Sequence, residues 1–200
     1  MLHTSATSTT IAQTIFRVAL GSVLVAHGSQ KLFGWFGGGG IAGTTTAMNA
    51  MGFRPAKQSA VMAGIGEAGA GAALALGLAT PAAGAGAAIT MGVAASVNTP
   101  NGFFASEGGL EYPALLGVAA AAFAMSGAGP ISLDGVTERR LDQPWMRAVA
   151  LIVIPMVIGM QIYRRRKTLA TVDAASDTES GPQTVASTPA TESSNPGTRL

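Results

Sequence analysis

The chain has 200 residues, of which only 11% are charged, with 12 Lys and Arg against 10 Asp and Glu and no cysteine. Soluble domains carry roughly 25% charged residues, so the composition argues against a soluble globule. The missing cysteines exclude disulfides, thiolate metal sites and iron–sulfur clusters on this chain. No folded stretch interleaves basic and aromatic residues, which excludes nucleic acid as a partner.

Residues 1–10 read as a Ser/Thr-rich tail without Lys or Arg. The positive region of a secretory signal is missing there, so the first apolar segment is expected to stay in the mature protein. That segment runs from Ile11 to Phe33, interrupted by Arg17, His27 and Lys31, and ends among Phe33, Trp35 and Phe36. Such aromatics favour the headgroup level. Gly37 to Gly40 form a break, and residues 41–53 fit a short surface-lying segment. The second span is Ser59 to Ala79, broken only by Glu67, and the third is Pro81 to Val97. No charge falls between Ala68 and Ser106, or between Tyr112 and Leu133. Apolar runs of about 18 residues or more suffice to cross a hydrocarbon core of about 30 Å.

The fourth span covers Leu110 to Ser126 and stops at Gly127-Ala128-Gly129-Pro130. After a polar loop, the fifth covers Trp145 to Tyr163 and holds Pro155, which should kink it. Arg164-Arg165-Arg166-Lys167 closes that span. Residues 168–200 are polar and cannot bury enough surface to offset their ordering entropy, so they are expected to be disordered. The expected fold is all-α, a polytopic transmembrane bundle. Its parts are a four-helix core over residues 11–136, and residues 137–167 with the loop, the fifth span and the basic stop.

Small residues crowd spans two to four. Gly64, Ala68, Gly71 and Ala75 make one stripe, read as helix packing. With five spans, Lys31, Arg54, Lys57 and the 164–167 run fall on one side, and Arg139, Arg140 and Arg147 on the other. The positive-inside rule then puts the C-terminus in the cytoplasm and the N-terminus outside.

Ionisable groups inside spans cost about 2.5–3.5 kcal/mol near a helix centre, so each needs a partner or a water-lined cavity. Arg17, Gly21, Gly28 and Lys31 share one face of the first helix, with His27 at its edge. Antiparallel neighbours place Glu67, Asn98, Glu107 and Glu111 near the level of His27. The expected cluster is His27, Lys31, Glu67, Asn98 and Glu111. At the opposite face Arg17 is expected to pair with Asp134. Both groups suit a structural role as well as a chemical one. Glu111 also fits a first-turn carboxylate favoured by the helix dipole. The nine methionines are scattered and read as packing, and no metal site is expected.

Arg17-Val-Ala-Leu-Gly21 with His27-Gly28-Ser29-Gln30-Lys31 resembles the first-helix signature of the DoxX family of bacterial membrane proteins. Glu67 within Gly64 to Gly71 is similar to the family's acidic position on its second helix, and Gly127 to Asp134 to its closing motif. The resemblance implies the bacterial inner membrane, and a link to quinone-coupled oxidation or to membrane oxidoreductase assemblies. It leaves two functions open. One is an accessory or anchoring subunit of a redox or respiratory complex, with other membrane subunits as partners. The other is a quinone-linked oxidoreductase in which His27 and Glu67 exchange protons with a quinone oxygen and Lys31 steadies the anion. No covalently bound cofactor is expected in either. A small-solute transporter is the weakest reading, since no inverted repeat is visible.

Overall fold

The structure, a computed structural model, describes residues 2–179, with side-chain surroundings for 7–175. Among these residues there is no strand. The helices are α1 (Leu2–Phe33), α2 (Gly40–Ala50), α3 (Ala56–Leu76), α4 (Thr80–Asn98), α5 (Glu111–Ser126), the single turn α6 (Leu133–Val136) and α7 (Pro144–Glu179). Four of them, α1, α3, α4 and α7, are long and apolar enough to span a membrane. The fourth span of the sequence, α5, has 16 residues. At 1.5 Å per residue it reaches about 24 Å, which is short of a full hydrocarbon core.

Both ends of the described stretch are more helical than the sequence suggests. α1 begins at Leu2 instead of after a tail, because residues 1–10 hold no Gly or Pro to stop a helix propagating from the apolar segment. Thr14 fits the helix by donating its hydroxyl to Thr10 O. α7 passes through Pro155 and continues to Glu179. Its extension holds the good helix formers Lys167, Leu169, Ala170, Ala174 and Ala175. The expectation of disorder therefore fails as far as Glu179, and beyond it lies outside the described residues. The 41–53 segment is largely the helix α2, packed on α1 and α3.

Close helix approach organises the core. Gly21 on α1 faces Gly71 on α3, where an added Cβ would lie 2.7 Å from Gly21 O. Gly28 meets Ala68 in the same way. Every residue of the small stripe on α3 thus faces α1, as Gly64 meets Leu32 and Ala75 meets Gly21. α4 is the hub, packed on α3, α5 and α7. Leu20, Leu24, Leu74, Ala87, Met91 and Phe123 form the centre of the core. The alternation of helices gives the bundle two ends. One holds the α3–α4 turn, α6 and the start of α7. The other holds α2, the α2–α3 turn and the end of α4.

Candidate functional site

The end with the α3–α4 turn is closed by polar locks. Gly77 caps α3 with a left-handed backbone (φ 66°), and Ala79 is also left-handed (φ 46°) as it enters α4. That turn aims two backbone amides outward. The fully buried Asp134 meets them, accepting from Ala79 N at 2.8 Å, Thr80 N at 2.9 Å and the Thr80 hydroxyl at 2.8 Å. Its own amide donates to Gly77 O at 2.8 Å. A residue far along the chain therefore caps α4.

Arg17, also buried, crosses above Gly77, leaving no room there for a Cβ, and donates Nη2 to Ile131 O at 2.8 Å. The expected Arg17–Asp134 ion pair is not made: the two groups share the lock without lying within ion-pair distance. The reason is local. Both Asp134 oxygens are held by the start of α4, and the guanidinium is drawn to a loop carbonyl. Arg17 Nε and Nη1 find no acceptor among the described residues.

A second lock adjoins the first. Buried Asp142 accepts from Arg147 Nε at 2.8 Å and sits 3.5 Å from Arg139 Nη1. Gln13 on α1 donates to Gly127 O at 3.1 Å. The sequence reading missed Asp142. Its one signal was an acid just ahead of Pro144, where a carboxylate meets the start of a helix.

The other end is open. A cavity of about 560 Å³ lies between α3, α4 and α7 and the α2–α3 turn, and it is lined by Lys31, Glu67 and Asn98 among others. This is within the range of about 300–1,000 Å³ usual for small-molecule sites. Glu67 is 2% exposed and forms an ion pair with Lys31, whose side chain is 30% exposed. Asn98 Nδ2 donates to Gly109 O at 3.4 Å.

Of the five residues expected to cluster, the structure brings these three to one cavity. His27 does not line it. Its Nε2 lies 3.1 Å from the Tyr112 hydroxyl, with the rings 5.6 Å apart, because its position on α1 is rotated from Lys31 toward α5. Glu111 stands in the first turn of α5, also outside the cavity lining. The His27/Glu67 pocket expected from the sequence is therefore a Lys31/Glu67 cavity. Among the described residues no group of three or more His, Asp or Glu side chains is placed to hold a metal.

The family model DoxX matches residues 12–104. Over that stretch the chain is similar to the DoxX domain. DoxX is a membrane-protein family, and several apolar helices agree with a multi-pass protein in a lipid bilayer. The DoxX match includes Arg17, His27, Lys31, Glu67 and Asn98, and it ends before Glu111 and Asp134. Comparison with curated proteins and with solved structures gave no match.

Proposed function

We propose that this protein is an accessory or anchoring subunit of a membrane redox or respiratory assembly. One observation carries the reading: Arg17, Glu67 and Asp134 are engaged in holding the bundle. Glu67 is held by Lys31, Arg17 by Ile131 O, and the nearby Asp134 by the start of α4. His27 is turned to Tyr112, so the acid and base that a quinone mechanism would combine are not side by side. In this reading the protein sits in the bacterial inner membrane with its N-terminus outside and its C-terminus in the cytoplasm. Purification in mild detergent should return a stoichiometric membrane partner. Recovery of the lone chain would contradict the proposal.

The cavity favours a second reading, a quinone-linked oxidoreductase. There Glu67 would exchange the proton and Lys31 would steady the oxyanion, with no part for His27. Purified protein that binds no quinone would remove it.

A further inference from the structure

The cavity beside Glu67 has a lopsided charge. Four cationic side chains line it, Lys31, Arg54, Arg164 and Arg165, against the single carboxylate of Glu67. Lys31 and Glu67 satisfy each other, which leaves the three arginines. No carboxylate among the described residues lies within ion-pair distance of any of them. Two are held by backbone carbonyls. Arg54 donates to Asn49 O at 2.9 Å, and Arg165 Nε to Met51 O at 2.8 Å. Those bonds fix both guanidinium groups at the α2–α3 turn, over which residues 165–169 of α7 lie, with Leu169 against Gly52.

Behind the arginines much of the wall is apolar, formed by Phe53, Ile89, Val93, Val97 and Val157, with Thr90 and Gln161 as polar interruptions. Along α4 the lining runs from Asn98 inward to Gly86. That is about 18 Å at 1.5 Å per residue, close to the roughly 15 Å of one leaflet's hydrocarbon. At Gly86 and Ile89 the cavity meets a second one of about 490 Å³, whose lining between α4 and α7 holds no charged residue. The three arginines thus gather at one end, and behind them a largely apolar channel of leaflet depth runs past the neutralised Lys31–Glu67 pair.

We propose that this cavity binds one phospholipid with an anionic headgroup, its phosphate among Arg54, Arg164 and Arg165 and one acyl chain against Ile89, Val93 and Val157. This site does not depend on the protein having a redox partner. The phosphate accepts charge-assisted hydrogen bonds from guanidinium groups already oriented by the fold. The acyl chain fills space that water would occupy poorly between Val and Ile side chains. Arg166 and Lys167 lie on the same stretch of α7 but outside the lining, so they separate this site from general attraction to an anionic surface.

The test uses the purified full chain, delipidated in mild detergent and titrated with phosphatidylglycerol or phosphatidylcholine, with retained lipid read by native mass spectrometry. The expected result is one phosphatidylglycerol held at least about tenfold more tightly than phosphatidylcholine. R54Q/R164Q/R165Q should bring the two lipids level, and R166Q/K167Q should preserve the preference. Val93→Phe, which narrows the channel and leaves the arginines in place, should also weaken retention. The proposal is overturned if the unmodified chain holds both lipids equally, or if R166Q/K167Q loses as much as the triple variant. It is overturned equally if Val93→Phe retains phosphatidylglycerol in full, if inorganic phosphate displaces the lipid, or if a neutral quinone replaces it regardless of the arginines.

Discussion

The two ends of the bundle use the same residue types in opposite ways. At the α3–α4 turn, Asp134, Arg17 and Asp142 are buried and held by backbone groups, the Thr80 hydroxyl or neighbouring arginines, and the chain closes over them. At the other end, Arg54, Arg164 and Arg165 surround a cavity and have no carboxylate partner among the described residues. Glu67 and Lys31 stand between these cases, paired but facing open space. A charge inside a membrane bundle is therefore not by itself a sign of chemistry. Its role depends on whether backbone donors and acceptors reach it first.

The sharpest way to break the contrast is Asp134→Ala. It orphans the buried amide and hydroxyl of Thr80 and the part-buried amide of Ala79 at the start of α4. With about 1–3 kcal/mol for each unsatisfied buried group, the loss should be about 3 kcal/mol or more. Thermal unfolding in detergent should show it as the largest drop of any variant here; an unchanged melting point would remove the lock from the account.

Gly71→Leu comes next, because its side chain would enter the backbone of α1 at Gly21. Overpacking of this kind costs about 1–3 kcal/mol. A lowered melting temperature is expected, with α1–α3 crosslinking reduced; normal crosslinking would mean that the two helices are not in close contact.

Lys31→Met and Glu67→Gln should differ from each other. The first leaves a carboxylate that is 2% exposed without its cation, whereas the second leaves a lysine whose 30% exposed side chain can turn to water. Lys31→Met should be the more damaging of the two in thermal unfolding, and the Lys31→Met/Glu67→Met double variant should recover part of the loss. The reverse order would show that the pair is not held as described.

His27→Ala should have the smallest effect, about 1 kcal/mol or less. It removes one hydrogen bond to an exposed tyrosine. A loss as large as that of Lys31→Met would return His27 to the centre of the site.

Much of this was legible in the sequence. The charge-free runs located the spans, and the small stripe on α3 was a packing surface, although only the structure shows that Gly21 and Gly28 are its counterpart. Helix order placed Arg17 and Asp134 at one level and Glu67 near Lys31. It could not show that Asp134 would cap α4, because its partners there include backbone amides exposed by the left-handed Ala79, which residue types do not reveal. The rotation of His27 toward Tyr112 was hidden for a related reason. A position at the edge of a helical stripe can turn toward either neighbour, and the packing of α5 decides. For the cavity the sequence showed only that Lys31, Arg54 and the 164–167 run share one side, since the cavity's three arginines come from a turn and a helix far apart in the chain.

The most direct test of the difference between the two ends is amide hydrogen exchange of the full chain in nanodiscs of phosphatidylcholine and of phosphatidylglycerol. The account predicts that residues 77–80 and 132–135 are strongly protected in both lipids, while residues 51–58 exchange faster and slow markedly in phosphatidylglycerol. Protection at 51–58 that ignores the lipid, or lipid dependence confined to 77–80 and 132–135, would contradict it.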